Sequence, residues 1–131
     1  MNLRETRPAK HLAVLRLAAA VPLIGIGVQH LLGTAPMEPI LEGAKIPLVA
    51  LFAVLVPILE VVAGVGLVIG LYARIHALVA VLIMGVAVYA HLVHDWADEP
   101  VLLLPVAVGV FALQILWGGA GAFSTDLASQ R

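Results

Sequence analysis

The chain has 131 residues, enough for one domain, with 63% hydrophobic and 11% charged residues and a formal net charge of -1. Its mean hydropathy is +1.11, and a soluble domain carries about 25% charged residues, so the surface is expected to be covered by lipid rather than water. The few Lys and Arg residues form no basic patch for nucleic acid, and the lack of cysteine excludes thiolate nucleophiles, disulfide exchange and Cys-ligated metal or iron–sulfur centres.

A bilayer-crossing helix needs about 20 mostly apolar residues, and four segments supply them: His11 to Gly33, Pro47 to Leu71, Ile75 to Asp95, and Val101 to Ala122. No segment alternates with the period of two that a membrane strand requires. The expected fold is an all-α, single-domain integral membrane four-helix bundle.

The first span follows Arg4, Arg7 and Lys10 and contains Arg16. It is too long, and too interrupted by Arg16, for a secretory leader, so it is expected to be retained. Arg16 lies one to two turns into the span, where it either snorkels back to the headgroups or reaches inward. Gly25 and Gln29-His30 follow toward the other end. The first connection, Thr34 to Pro47, holds three prolines together with Glu38 and Glu42 and is expected to form a small cap.

The second span carries the most informative residue. Glu60 lies about 13 residues from the start, so about 20 Å in, where a lipid-facing carboxylate would be very costly. It is expected to face the bundle interior, either paired or protonated. Pro57, one turn earlier, deprives the Ala53 carbonyl of its helical partner. The glycines Gly64 and Gly66, like Gly25 and Gly27 in the first span, suit close helix approach in lipid. The turn Leu71 to Arg74 makes the second and third spans antiparallel neighbours, with Arg74 an anchor and His76 beside it.

His91, His94 and Asp95 share one face near the end of the third span. With Gln29 and His30 at similar height, they are candidates for a quinone headgroup or proton site. His91, His94 and Asp95 are also a candidate set for zinc or another divalent metal. Tyr89 and Trp96 suit an interfacial aromatic belt. In the fourth span, Gln114 also lies about 13 residues from the start. It is therefore expected at the depth of Glu60 and within hydrogen-bonding reach of it, with helix packing as the alternative role. The tail from Ser124 to Arg131 is polar and expected to fray. The bases cluster at the N-terminus and the 71–74 turn and the acids at the other connections, so both termini are expected to be cytoplasmic.

In this order the residues resemble the DoxX family of small four-helix bacterial membrane proteins. The likeness is carried by Arg16-Leu17, Gln29-His30, Glu60-Val-Val-Ala-Gly64 and Gly70-Leu71-Tyr72-Ala73-Arg74-Ile75-His76, with Met84 following. The fourth span matches only in hydrophobicity. The resemblance implies a multi-pass protein of the bacterial inner membrane, with Glu60, Arg74 and Arg16 as its marked positions, and a link to quinone-coupled sulfur oxidation or membrane oxidative-stress complexes. The absence of cysteine stands against a thiol relay. Three functions stay open: a quinone-linked redox subunit, in which Glu60, Gln114 and Arg16 form a buried polar layer and Gln29, His30, His91 and His94 an outer site; a non-catalytic accessory subunit of a larger membrane complex or self-assembly; and a small transporter or proton path along Glu60 and Gln114.

Overall fold

A computed structural model describes residues 2–93 and 102–130. Six helices form: α1 Lys10–Leu31, α2 Glu38–Gly43, α3 Val49–Ile69, α4 Ala73–Val93, α5 Leu103–Gly118 and α6 Thr125–Ala128. There are no strands among the described residues. Helices α1, α3 and α4, of 22, 21 and 21 residues, are long and apolar enough to cross a membrane. At 1.5 Å per residue each spans about 31–33 Å, the thickness of the hydrocarbon layer. Helix α5 is apolar but has only 16 residues, about 24 Å, and ends at Gly118, short of the Ala122 expected from hydropathy.

The helix limits follow local chemistry. Helix α3 ends where Gly70 takes a left-handed conformation (φ 69°) and its N–H returns to the Gly66 carbonyl at 2.9 Å, a stop that a side chain would resist. Helix α5 ends at Gly119, also at positive φ. Helices α1 and α3 continue through Pro22 and Pro57.

The four long helices form a ring in which α1 and α4 each pack against both α3 and α5, and consecutive long helices run antiparallel. Close contacts set the register. A Cβ on Gly27 would stand 3.0 Å from the Pro57 carbonyl oxygen, and one on Gly64 would stand 2.5 Å from an Ile24 side-chain carbon. The backbones of α1 and α3 thus touch where only hydrogen fits, as small residues allow in lipid. Gly66 accepts the His76 ring from α4, and Gly118 of α5 packs on Leu12 of α1. The core is correspondingly rich in small residues, including Ala19, Ala20, Ala77, Ala80 and Ala112 around Leu23, Leu67 and Ile115. Large apolar side chains such as Val14, Val21, Val62 and Val110 point outward, the distribution of a protein solvated by acyl chains.

Both ends of the chain meet at one end of this bundle, and the tail does not fray there. The Asp126 side chain, 1% exposed, accepts the Tyr72 and Ala73 amides at 2.8 and 2.9 Å and Arg4 Nε at 3.1 Å. It thereby supplies an anion to the bare amides and positive dipole end of α4. Its own amide donates to Gly70 O at 2.9 Å, Ser124 caps α6, and Thr6 Oγ1 accepts the Gly121 amide at 2.7 Å. The expectation of a loose tail fails because, apart from the Ser124 cap, these partners are more than 50 residues away in sequence and leave no local signal.

Candidate functional site

At the opposite end the bundle opens into a cavity of about 530 Å³ walled by all four long helices and α2. Its walls are mostly apolar: Ile26 from α1, Phe52 and Val56 from α3, Ile83 and Ala87 from α4, Pro105 from α5. Helix α2 contributes Ile40 and Leu41. Met37, Leu41 and Ala44 are buried at spacings of four and three, one stripe of a short helix turned inward, while Glu38 and Glu42 face outward. The first connection is therefore a cap. Leu48 (φ 56°) and Lys45 (φ 55°) bend the chain between α2 and α3 in the left-handed region, where side chains are strained.

Glu60 lines this cavity, is 3% exposed, and has its Cβ beside Gly27. Its Oε2 is buried and has no hydrogen-bond partner among the described residues. A buried polar atom costs about 1–3 kcal/mol where nothing meets it, and the cavity beside Glu60 has room for a partner. His30 and His91 line the same cavity. Their Nδ1 atoms lie 2.5 Å from Ala35 O and 2.6 Å from Ala87 O. A carbonyl only accepts, so Nδ1 donates in each. Gln29 joins them at the rim, exposed. One cavity thus brings together Glu60, Gln29, His30 and His91, residues assigned by sequence to two separate levels.

Two members expected in the buried layer are elsewhere. Gln114 is exposed on α5 and does not line the cavity. Measured along α1, Gly118 packs at Leu12 whereas Glu60 packs at Gly27. Gln114 therefore stands near the height of Arg16, about 16 Å from Glu60 along the bundle axis. The expected match in depth assumed helices of equal length and level, and α5 is shorter and set toward the tail. Arg16 is buried, but it turns away from Glu60. Its Nη2 donates to Phe123 O at 3.1 Å and Ala122 O at 3.5 Å, and Nη1 packs against Gly70, ten residues beyond Glu60 on α3. Arg74 donates to Leu116 O at 2.9 Å and Glu5 O at 3.1 Å, tying α4 to α5 and the N-terminal segment. His94 and Asp95 of the metal candidate lie outside the described residues. Among the described residues no group of three or more His, Asp or Glu is placed to hold a metal ion.

The walls Met37, Ile40, Leu41 and Phe52 were not singled out in the sequence. Apolar residues carry no chemical mark there, and only the four-and-three spacing of Met37, Leu41 and Ala44 hinted at an inward-facing helix.

Comparison with curated proteins and with solved structures returns no match. The DoxX family model matches residues 11–95, a stretch that contains α1 to α4 and every polar residue of the cavity. This chain, an all-α multi-pass membrane protein built around that cavity, belongs to the DoxX family.

Proposed function

We propose that the protein is a membrane subunit of quinone-linked redox chemistry, with the cavity holding a quinone headgroup. The observation that carries this reading is the buried, unpartnered Glu60 carboxyl in the wall of an otherwise apolar cavity. Small-molecule sites are commonly about 300–1,000 Å³, apolar, and furnished with a few polar groups that orient the ligand; this one fits that description. A protonated Glu60 would donate to a quinone carbonyl, or its carboxylate would accept from a quinol hydroxyl, while the imidazoles of His30 and His91, with the Gln29 amide beside them, would exchange protons at the rim. The bound quinone would supply the two-electron couple; the chain's own residues orient it and handle its protons. In a bacterial inner membrane the Arg4, Arg7, Lys10 and Arg74 end would face the cytoplasm by the positive-inside rule, and the cavity would then lie toward the outer leaflet.

A proton path along Glu60 and Gln114 finds no support, because the two residues stand on different levels and Gln114 faces outward. An accessory role without a ligand of its own is the outcome opposed to the proposal in the following test. Decylubiquinone is titrated into the purified protein in nanodiscs, with Glu60→Leu in parallel. The wild type is expected to bind saturably and the variant to bind about tenfold more weakly, a loss of about 1.4 kcal/mol, of the size of one hydrogen bond to a buried group. Equal binding by both proteins, or none by the wild type, contradicts the quinone reading.

A further inference from the structure

The cavity has a side as well as a rim. On α3 its wall runs only from Phe52 to Glu60, and on α4 only from Leu82 to His91. Below Glu60 the two helices are closed against each other, with the His76 ring seated in the notch at Gly66 and the tight turn beyond. Phe52, Val56 and Gly66 follow one stripe of α3 at helical spacing, so the two wall residues point toward α4, as Gly66 does. Across from them, Leu82 and Val86 line the cavity and yet are 62% and 50% exposed. A residue that both lines a cavity and faces the surroundings stands at an opening. Helix α2 packs on α3 and on α4 and roofs this opening with its buried stripe, its carboxylates turned outward.

We infer that the cavity is filled from the bilayer, through a slot between the outer halves of α3 and α4 whose jambs are Phe52, Val56, Leu82 and Val86, and that the slot selects ligands with an apolar tail. The inference rests on the proposed quinone site for the identity of the headgroup, and adds the route and the selection rule. All four jambs are apolar, and the slot opens at the height of the acyl chains. A polar headgroup that reaches Glu60 by this route leaves its tail lying between Leu82, Val86 and the lipid, where the tail keeps its apolar surroundings. A headgroup without a tail gains nothing from these residues and has no reason to concentrate beside them.

The native chain has no cysteine, so one introduced thiol reports alone. Val56→Cys places it on the cavity wall. In proteoliposomes its reaction with lipid-soluble pyrenylmaleimide is compared with that of a membrane-impermeant sulfonated maleimide, each rate divided by that of N-ethylmaleimide to cancel thiol reactivity. The lipid-soluble reagent is expected to react at least about tenfold faster, and Leu82→Trp or Val86→Trp to slow it by about tenfold, since the indole obstructs the opening. Leu78→Trp, on the exposed surface of α4 away from the cavity, is expected to leave the rate unchanged. The same Leu82→Trp protein is expected to weaken decylubiquinone binding more than binding of its tail-less benzoquinone headgroup. Equal rates for the two maleimides, or a Leu82→Trp rate equal to that of the unblocked protein, overturn the lateral slot. The labelling contains no quinone, so it decides the route even where the quinone titration fails; an open slot with no quinone binding would discard the headgroup and keep the route.

Discussion

The two ends of the bundle treat their buried carboxylates in opposite ways, although the tail end also leaves Arg16 Nε and Nη1 without partners among the described residues. At the tail end, the Asp126 carboxylate receives two backbone amides and an arginine, and Arg74 finds two carbonyls. At the cavity end, Glu60 is nearly as buried but leaves Oε2 without a partner among the described residues, at the cavity wall. The contrast separates a carboxylate that holds the fold together from one that, in the proposed function, serves a ligand. Stability and activity commonly conflict at sites of the second kind.

The largest expected effect is therefore at the tail. Asp126→Ala removes the side chain that answers the Tyr72 and Ala73 amides and releases Arg4 in the same step. Leaving a buried amide without its acceptor costs about 1–3 kcal/mol, and the partly exposed Arg4 partner adds little, so a clear fall in the thermal unfolding midpoint in detergent is expected. A midpoint within a degree or two of wild type would mean that the tail merely rests on the bundle. Next in size is the α1–α3 contact. Gly64→Leu drives a side chain into Ile24 and the Ala20 carbonyl and is expected to cost about 1–3 kcal/mol or more by overpacking. Gly25→Leu, which meets nothing within 4 Å, is expected to leave the melt unchanged. Equal melts for the two variants would remove the claim that Gly64, and not the glycine pairs in general, sets the distance between these helices.

The sequence shows the spans, because hydropathy over 20 residues reflects transfer into lipid directly, and it shows Glu60, because one acid in an apolar run has no ordinary explanation. Heights across the bundle are harder to read. The position of Gln114 depends on where α5 stops and how it is set against α1, and the contact of Gly118 with Leu12 has no signature in hydropathy. Arg16 had two directions open to it, and the choice was made by the carbonyls of Ala122 and Phe123, more than 100 residues away. Asp126 looked like one polar residue in a polar tail, since its partners belong to the 70–73 turn and the N-terminal segment. The cavity itself was invisible, being an absence of side chains between residues that are individually ordinary.

The central claim is that Glu60 serves a ligand and not the fold, and Glu60→Leu tests it most directly. Leucine fills similar space, carries no polar atom and removes the unsatisfied oxygen. The account predicts that this variant unfolds at a higher temperature than wild type, by an amount corresponding to about 1–3 kcal/mol, and no longer gains stability when decylubiquinone is added, whereas the wild type does. A Glu60→Leu protein that melts lower than wild type would show that the carboxyl supports the fold, and would contradict the account.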